Sequence, residues 1–334
     1  MRFTIHFLLL CLVAAGAQAQ PKKNSGMVQV ILDTDIAGDY DDVGAMALLH
    51  AFADKGEANI LAVVSCNAFE TTVPTISVLN TYFGRPDIPV GIIESPEPNQ
   101  ECQQQWAQAI IAKYPHRLRS NDQAEKAVSL YRRILAAQPD HSVTVVTVGF
   151  FTNLAALLSS GPDQHSTLGG KELVKQKVKL LVAMAASLPP NKTGGREYNV
   201  YIDTRSSKQV FEQWETPAIL SPLEVGEQVL TGIPLIRDNS IQHSPVKDAY
   251  ALALAKDKNT TGRMSWDQTA VLVAVRGAAP WFDTRRLNFR IEEDGSNTLI
   301  PGERFTWLSL KAGKKQELQS LIESLMHHQP RVNK

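Results

Sequence analysis

Residues 28–42 read Val-Gln-Val-Ile-Leu-Asp-Thr-Asp-Ile-Ala-Gly-Asp-Tyr-Asp-Asp, an apolar run of strand length followed by five aspartates within ten residues. The β-branched Val28, Val30 and Ile31 suit a buried strand. Gly38 marks a turn, and Asp41-Asp42 place two carboxylates before a long apolar stretch, where a helix presents its positive end. Strand, loop and helix in this order form the unit from which parallel sheets are assembled. The same alternation recurs outward from this segment. Strands are expected at Val28 to Asp33, Ile60 to Ser65, Pro89 to Ile93, Val143 to Val148 and Val178 to Met184. Helices are expected at Asp41 to Lys55, Thr72 to Phe83, Gln103 to Lys113, Asp122 to Ala137 and Thr152 to Ser159. The expected architecture is an α/β fold, an open, mostly parallel central sheet with flanking helices in a single domain.

Beyond Met184 the pattern changes. Leu188 to Arg196 is rich in turn formers and reads as a loop, as does Pro234 to Pro245. Helical patterns follow at Val246 to Ala255 and Asp267 to Arg276. The tail, with Phe289 to Glu292, Phe305 to Leu310 and a helix from Gln316 to His327, reads as an antiparallel addition. At the amino terminus, residues 1–19 combine Arg2, an apolar run from Phe7 to Ala15 and the ending Ala17-Gln18-Ala19, the composition of a cleaved signal peptide. That run is too short for a bilayer of about 30 Å. Export to the periplasm or the exterior is therefore expected, with residues 20–334 as the folded domain and no membrane span. The 34 basic and 34 acidic residues cancel, which gives no field to attract nucleic acid or an anionic membrane and suits a neutral small molecule. Cys11 lies inside the apolar run. Cys66 and Cys102 are too few for a disulfide framework and are expected as buried free thiols.

Carboxylates packed at the end of a buried strand repel one another unless protons or a cation neutralise them. Oxygen-only ligands suit a hard divalent cation, and an irregular loop favours Ca2+, which tolerates varied geometry, over Mg2+. Asp41 and Asp42 alone are equally well explained as a helix start. Asp33 and Asp35 are not, because they lie at the carboxyl end of the first strand, where open α/β sheets place their ligands. Phosphatases of the haloacid dehalogenase type also begin with strand-Asp-x-Asp, but carry Thr or Val where this chain has Ala37.

Asp33-Thr-Asp35, followed by Gly38 and Asp41-Asp42, resembles the amino-terminal signature of nucleoside hydrolases, with two extra residues in the loop that carries Asp39. Further segments match in the family's order. Ser65-Cys66-Asn67 is similar to the segment whose Asn lies near the sugar, and Val148-Gly-Phe-Phe-Thr-Asn153 to the Gly-x-x-Thr-Asn turn. Glu197-Tyr198-Asn199, with Asn191 upstream, resembles the ribose-binding segment, and Asp267 the carboxylate that closes the metal site. The resemblance spans residues 28 to 280. It implies Ca2+ held by Asp35, Asp42, Asp267 and the Val148 carbonyl, with Asp35 as general base. It also implies sugar contacts from Asp41, Asn67, Asn191, Glu197 and Asn199, an orienting role for Asp33 and a homodimer or homotetramer. Asp39 shares either set of contacts.

Cleaving an N-ribosidic bond requires a water presented to the anomeric carbon and stabilisation of an oxocarbenium-like sugar. The departing base must also be accommodated, and many family members place a His just before the last metal Asp to protonate it. Here that residue is Trp266. Indole donates no proton near neutral pH, but its flat face suits stacking on an aglycone, or packing as a core anchor. His243 and Tyr198 are the candidate replacement acids. His50 reads as packed or solvated, His327 and His328 as solvent-exposed, and Arg196 as a loop arginine within reach of a polar aglycone. The expected function is Ca2+-dependent hydrolysis of the N-glycosidic bond of a nucleoside or related N-riboside. The alternatives are a glycosidase with a different aglycone or sugar, and a non-catalytic protein that keeps the Ca2+ and sugar contacts.

Overall fold

The computed structural model describes residues 26–188 and 195–330. The signal-peptide segment and Asn191 lie outside the described residues. The strands are β1 (Val28–Thr34), β2 (Ala58–Ser65), β3 (Val90–Ile92), β4 (Glu125–Lys126), β5 (Val143–Thr147), β6 (Val178–Met184), β7 (Ala218–Ser221), β8 (Leu230–Thr231), β9 (Arg263–Met264), β10 (Phe282–Ile291) and β11 (Asn297–Leu310). Nine of them build one sheet in the order β10-β11-β7-β6-β5-β1-β2-β3-β4, while β8 and β9 form a separate ribbon. Within the large sheet every neighbouring pair is parallel except β10 with β11. The expected antiparallel tail is this hairpin, joined to the parallel sheet through β11 and β7.

The middle of β1, Val30 to Leu32, is apolar because both faces are covered: Val30 and Leu32 pack into one layer and Ile31 into the other. The first layer contains the helices Asp41–Asp54, Thr72–Tyr82, Pro245–Lys256, Trp266–Arg276 and Lys315–Met326. The second contains Ala127–Ala137, Thr152–Ser159, Gly170–Lys177 and Thr204–Gln213. The Asp41–Asp54 helix is apolar on nearly every side because it is wedged against the Trp266–Arg276 and Lys315–Met326 helices. From β1 the sheet grows outward through β2, β3 and β4 on one side and through β5, β6 and β7 on the other. The loop after β1 therefore opens at the switch point of the sheet, the place where such folds bind ligands.

Several boundaries differ from expectation. The helix expected from Gln103 starts at Trp106, because Gln105 takes a left-handed φ of 58°. The segment expected as one helix from Asp122 contains a 3-10 turn at Asn121–Gln123, then β4 at the sheet edge, and is α-helical only over Ala127–Ala137. The loop expected over Pro234 to Pro245 carries a short helix, Ile233–Arg237, and Pro245 itself opens the next helix, where a missing N–H costs nothing. His327 and His328 are half-buried, not exposed: His327 lies 3.2 Å from Asp238 and His328 2.6 Å from Asp54. Cys66 and Cys102 are buried and free. Among the described residues no helix is long and apolar enough to cross a membrane.

Candidate active site

The segments that follow β1, β5 and β6 and the start of the Trp266–Arg276 helix enclose a cavity of about 370 Å³. Its wall includes Asp35, Asp41, Asp42, Val148, Glu197, Asn199, Trp266 and Asp267, all singled out from the sequence, together with Gly38, Asp39, Met184, Tyr198, Leu223 and Arg263. Residues more than 230 positions apart in the chain thus meet because the sheet places their loops over one edge.

Asp41, Asp42 and Asp267 each bring a carboxylate oxygen within 4.8 Å of the other two. They are 3 %, 1 % and 4 % exposed, and Asp35 beside them is 7 % exposed. Burial, reinforced by the charge of Asp39, pushes the Asp41 carboxyl up to about 7. Burial and the neighbouring aspartates push Asp35, Asp42 and Asp267 well above the ordinary carboxylate range. The tight trio differs from the set implied by the family resemblance, because it contains Asp41, which the resemblance gives to the sugar. Asp35 flanks it. Ionised oxygens this close are costly without a counter-charge, and an all-oxygen set of this kind fits a hard divalent cation. Val148 lines the same cavity, and its carbonyl accepts a hydrogen bond from Asn199 Nδ2 at 3.0 Å. A second lone pair is left for a ligand.

The surroundings hold these carboxylates in place. The Thr34 hydroxyl donates to Asp42 and accepts from the Ile36 N–H at 3.2 Å. Asp33 points into the protein, where it accepts from the Tyr131 hydroxyl at 2.7 Å and from Asn153 Nδ2 at 3.2 Å. Burial pushes its carboxyl up to about 7. Gly149 lets two backbones meet: a Cβ there would lie 2.5 Å from the Asp35 nitrogen.

Asn67 does not line the cavity. Its Nδ2 donates to the Asp35 carbonyl at 3.2 Å and to the Gln100 carbonyl at 2.9 Å, and its Oδ1 accepts from the Phe69 and Gln100 N–H groups. The amide expected at the sugar instead ties the Asp35 loop to its neighbour. Glu197 lines the cavity and caps the Tyr198–Ile202 helix, accepting from the N–H groups of Ala186, Asn199 and Val200. Burial pushes its carboxyl up to about 8. Tyr198 stands at the rim, 43 % exposed, and donates to Gln100 Oε1 at 3.1 Å. Burial, with the charge of Asp35, pushes its phenol up to about 12, a poor match for an acid working near neutrality.

Among the described residues no imidazole lines this cavity. His243 is exposed outside it. His50 is bonded to Asn80 at 3.0 Å and stacked on Phe83 within the core. Arg196 is exposed and packs over the Tyr201 ring, away from the cavity wall. Trp266 takes the place where the acid was sought, and its Nε1–H is committed to the Leu223 carbonyl at 2.8 Å. Only the ring face of Trp266 remains for a ligand. Gly226 makes room for it, because a Cβ there would lie 2.3 Å from Trp266 Cα. Arg263 on β9 went unnoticed in the sequence. It pairs with Asp39, reaches within 3.7 Å of Asp41, and packs over the rings of Tyr40 and Trp266.

Comparison with known proteins gives this geometry a family. The model of the inosine-uridine preferring nucleoside hydrolase family matches residues 30–317. The pyrimidine-specific ribonucleoside hydrolases RihA of Salmonella paratyphi B and Salmonella typhi are each 30 % identical over 213 residues. These matches cover 59 % of this chain and 60 % of each relative, so the chain spans less than two thirds of their length. The fold matches a purine-preferring ribonucleoside hydrolase from Gardnerella vaginalis with a TM-score of 0.70 at 18 % identity, covering 90 % of this chain and 99 % of that one. It matches an inosine-uridine preferring nucleoside hydrolase from Bacillus anthracis with a TM-score of 0.67 at 17 % identity, over the same shares of each chain. From the carboxylate cluster at the end of β1 to the closing Asp267, the chain belongs to the inosine-uridine preferring nucleoside hydrolase family.

Proposed function

We propose that this chain hydrolyses the N-glycosidic bond of nucleosides in a Ca2+-dependent reaction. The observation that carries the reading is the burial of four aspartates, Asp35, Asp41, Asp42 and Asp267, around one cavity with Val148 and Trp266 on its wall. Asp35, Asp42 and Asp267, with Asp41 and the Val148 carbonyl, would hold the cation. When bound, it supplies Lewis acidity that makes water nucleophilic near neutral pH, and a grip for vicinal hydroxyls. Asp35 takes the proton of the attacking water. Glu197 and Asn199 face the same cavity and orient the ribose, as Asn191 would in the family pattern. Trp266 offers its face to the base, a contact worth about 0.5–1.5 kcal/mol beyond area burial. Asp33, bonded to Tyr131 and Asn153, keeps the end of β1 rigid.

The composition of residues 1–19 supports export, and the family likeness supports a homodimer or homotetramer. The replacement of the usual His by Trp266 favours a second reading, a glycosidase whose aglycone needs no proton to depart. The test is release of base from uridine, cytidine, inosine and adenosine, beside 4-nitrophenyl riboside, with Ca2+ or excess chelator. Ca2+-dependent nucleoside turnover is expected. Cleavage of the nitrophenyl riboside alone would favour the second reading, and ribose binding without turnover would contradict both.

A further inference from the structure

The reading as an N-ribosyl hydrolase leaves the departing base without a proton donor, and among the described residues of the cavity wall Arg263 is the one permanent cation. We propose that Arg263 stabilises the leaving base as an anion and selects bases whose departing nitrogen is conjugated to a ring carbonyl. The proposal rests on the hydrolase reading and deepens it.

Arg263 stands three residues before Trp266, on the two-residue strand β9, and lines the same cavity. Its guanidinium lies 4.9 Å from the Trp266 ring centroid, packed on the indole that is read to receive the base, and 5.1 Å from that of Tyr40. The Tyr40 hydroxyl is bonded in turn to Asp257 at 3.2 Å. One guanidinium nitrogen, Nη2, makes both acidic contacts, with Asp39 and with Asp41. Nε is buried with no hydrogen-bond partner. A role as counter-ion to the aspartates explains Nη2 but leaves the Nε–H unspent, and an unpaired buried donor costs about 1–3 kcal/mol unless a ligand meets it. Asp39, which anchors the arginine, belongs to the lengthened loop between Asp35 and Asp41. The extra loop acid and the arginine therefore form one device.

The step balances without a protein acid. The C1′–N bond breaks, and its electron pair moves to the base nitrogen and, by conjugation, to the carbonyl oxygen beside Arg263. The water oxygen bonds to C1′, its proton passes to Asp35, and the base anion takes a proton from solvent after release. Uracil and hypoxanthine meet this requirement. Adenine, with no carbonyl, does not.

The test compares kcat/KM for uridine and inosine with that for 4-nitrophenyl riboside, in the unmodified protein and in Arg263→Gln, at saturating Ca2+. Loss of a preorganised charge of this kind costs about 10²–10³ in rate. That loss is expected for both nucleosides, while the nitrophenyl riboside, whose leaving group departs unaided, falls by less than about tenfold. An equal fall on all three substrates would overturn the proposal and leave Arg263 as a counter-ion to Asp39. Should the variant not fold, the pH profile of the unmodified protein decides. The guanidinium does not titrate in the working range, so kcat/KM for uridine should stay level from about pH 7 to about pH 8.5, below the ionisation of the uracil N3–H itself. A descending limb there would reveal a titrating acid and refute the assignment. Absence of turnover on every riboside would instead remove the hydrolase reading, and the proposal with it.

Discussion

In chelator the protein should lose stability as pH rises from about 5 to about 7.5, and Ca2+ should restore most at the upper end. The sign follows from the cluster. Asp41 titrates at about 7 in the fold against an ordinary 3.8, held up by burial and then by the charge of Asp39. Its neutral form is favoured in the folded state, so its contribution is greatest below 3.8 and declines as pH climbs towards 7. At about 1.4 kcal/mol per pH unit, Asp41 alone removes about 3 kcal/mol between pH 5 and its folded value. Asp35, Asp42 and Asp267 shift in the same direction and add to the slope. Salt-bridged carboxylates such as Glu57 and Asp163, held low by Arg276 and Arg132, have the opposite sign, but their contribution is lost only below about pH 4. For a domain of about 300 residues the Asp41 contribution corresponds to roughly 5 °C in melting temperature. Ca2+ takes the deprotonated carboxylates, so its stabilisation should grow across the same window. Calorimetric melts at several pH values, in chelator and in Ca2+, measure both slopes. A chelated melting temperature that is flat or rising over this range, or a Ca2+ increment equal at both ends, would refute the argument.

Three substitutions probe the supporting structure. Asp35→Asn should lower kcat on every riboside by about 10²–10⁴ with no loss of melting temperature in chelator at neutral pH, since it removes a buried charge along with the base; undiminished turnover would exclude Asp35 as the base. Gly226→Ala puts a Cβ 2.3 Å from Trp266 Cα and 2.6 Å from its nitrogen. The backbone there cannot retract cheaply, so a cost of about 1–3 kcal/mol is expected, with weaker Ca2+ binding by calorimetry as Asp267 is displaced. A normal melt with normal Ca2+ affinity would contradict this packing. Tyr131→Phe removes the 2.7 Å donor to Asp33 and should cost about 1–3 kcal/mol while leaving Ca2+ affinity within a few-fold, because Asp33 points away from the cavity; a large loss of affinity would make Asp33 a ligand.

The carboxylate cluster was legible because three of its members, Asp35, Asp41 and Asp42, lie within eight residues of one another directly after a buried strand. Asp267 was legible only through the family pattern. Arg263 was not legible at all: its partner Asp39 is 224 positions away, and a two-residue strand has no periodicity to mark it. Asn67 shows a different limit. Its position after β2 was readable, but whether its amide faced the cavity or the loop behind Asp35 depended on Gln100, which only the folded chain brings near. Thr34 was quoted within the motif, yet its bond to Asp42 requires the turn between them to be known.

In the fold, the long apolar runs were readable and the short or polar elements were not. β7 is four residues long, and the Gly170–Lys177 helix buries just Gly170, Leu173 and Val174 among charged neighbours. The Thr204–Gln213 helix likewise buries Ser207, Val210 and Phe211 on one stripe. β4 exists because its backbone pairs with β3, a contact that composition does not encode.

If these buried aspartates hold a cation for nucleoside hydrolysis, activity and metal occupancy must rise together. The most direct measurement is the rate of base release from uridine and inosine by the purified protein as Ca2+ is titrated into the chelated enzyme. Turnover should rise from baseline and saturate together with Ca2+ binding measured calorimetrically on the same sample. Turnover unchanged by chelation, or stoichiometric Ca2+ binding with no release of any base or nitrophenol, would contradict that role of the aspartates.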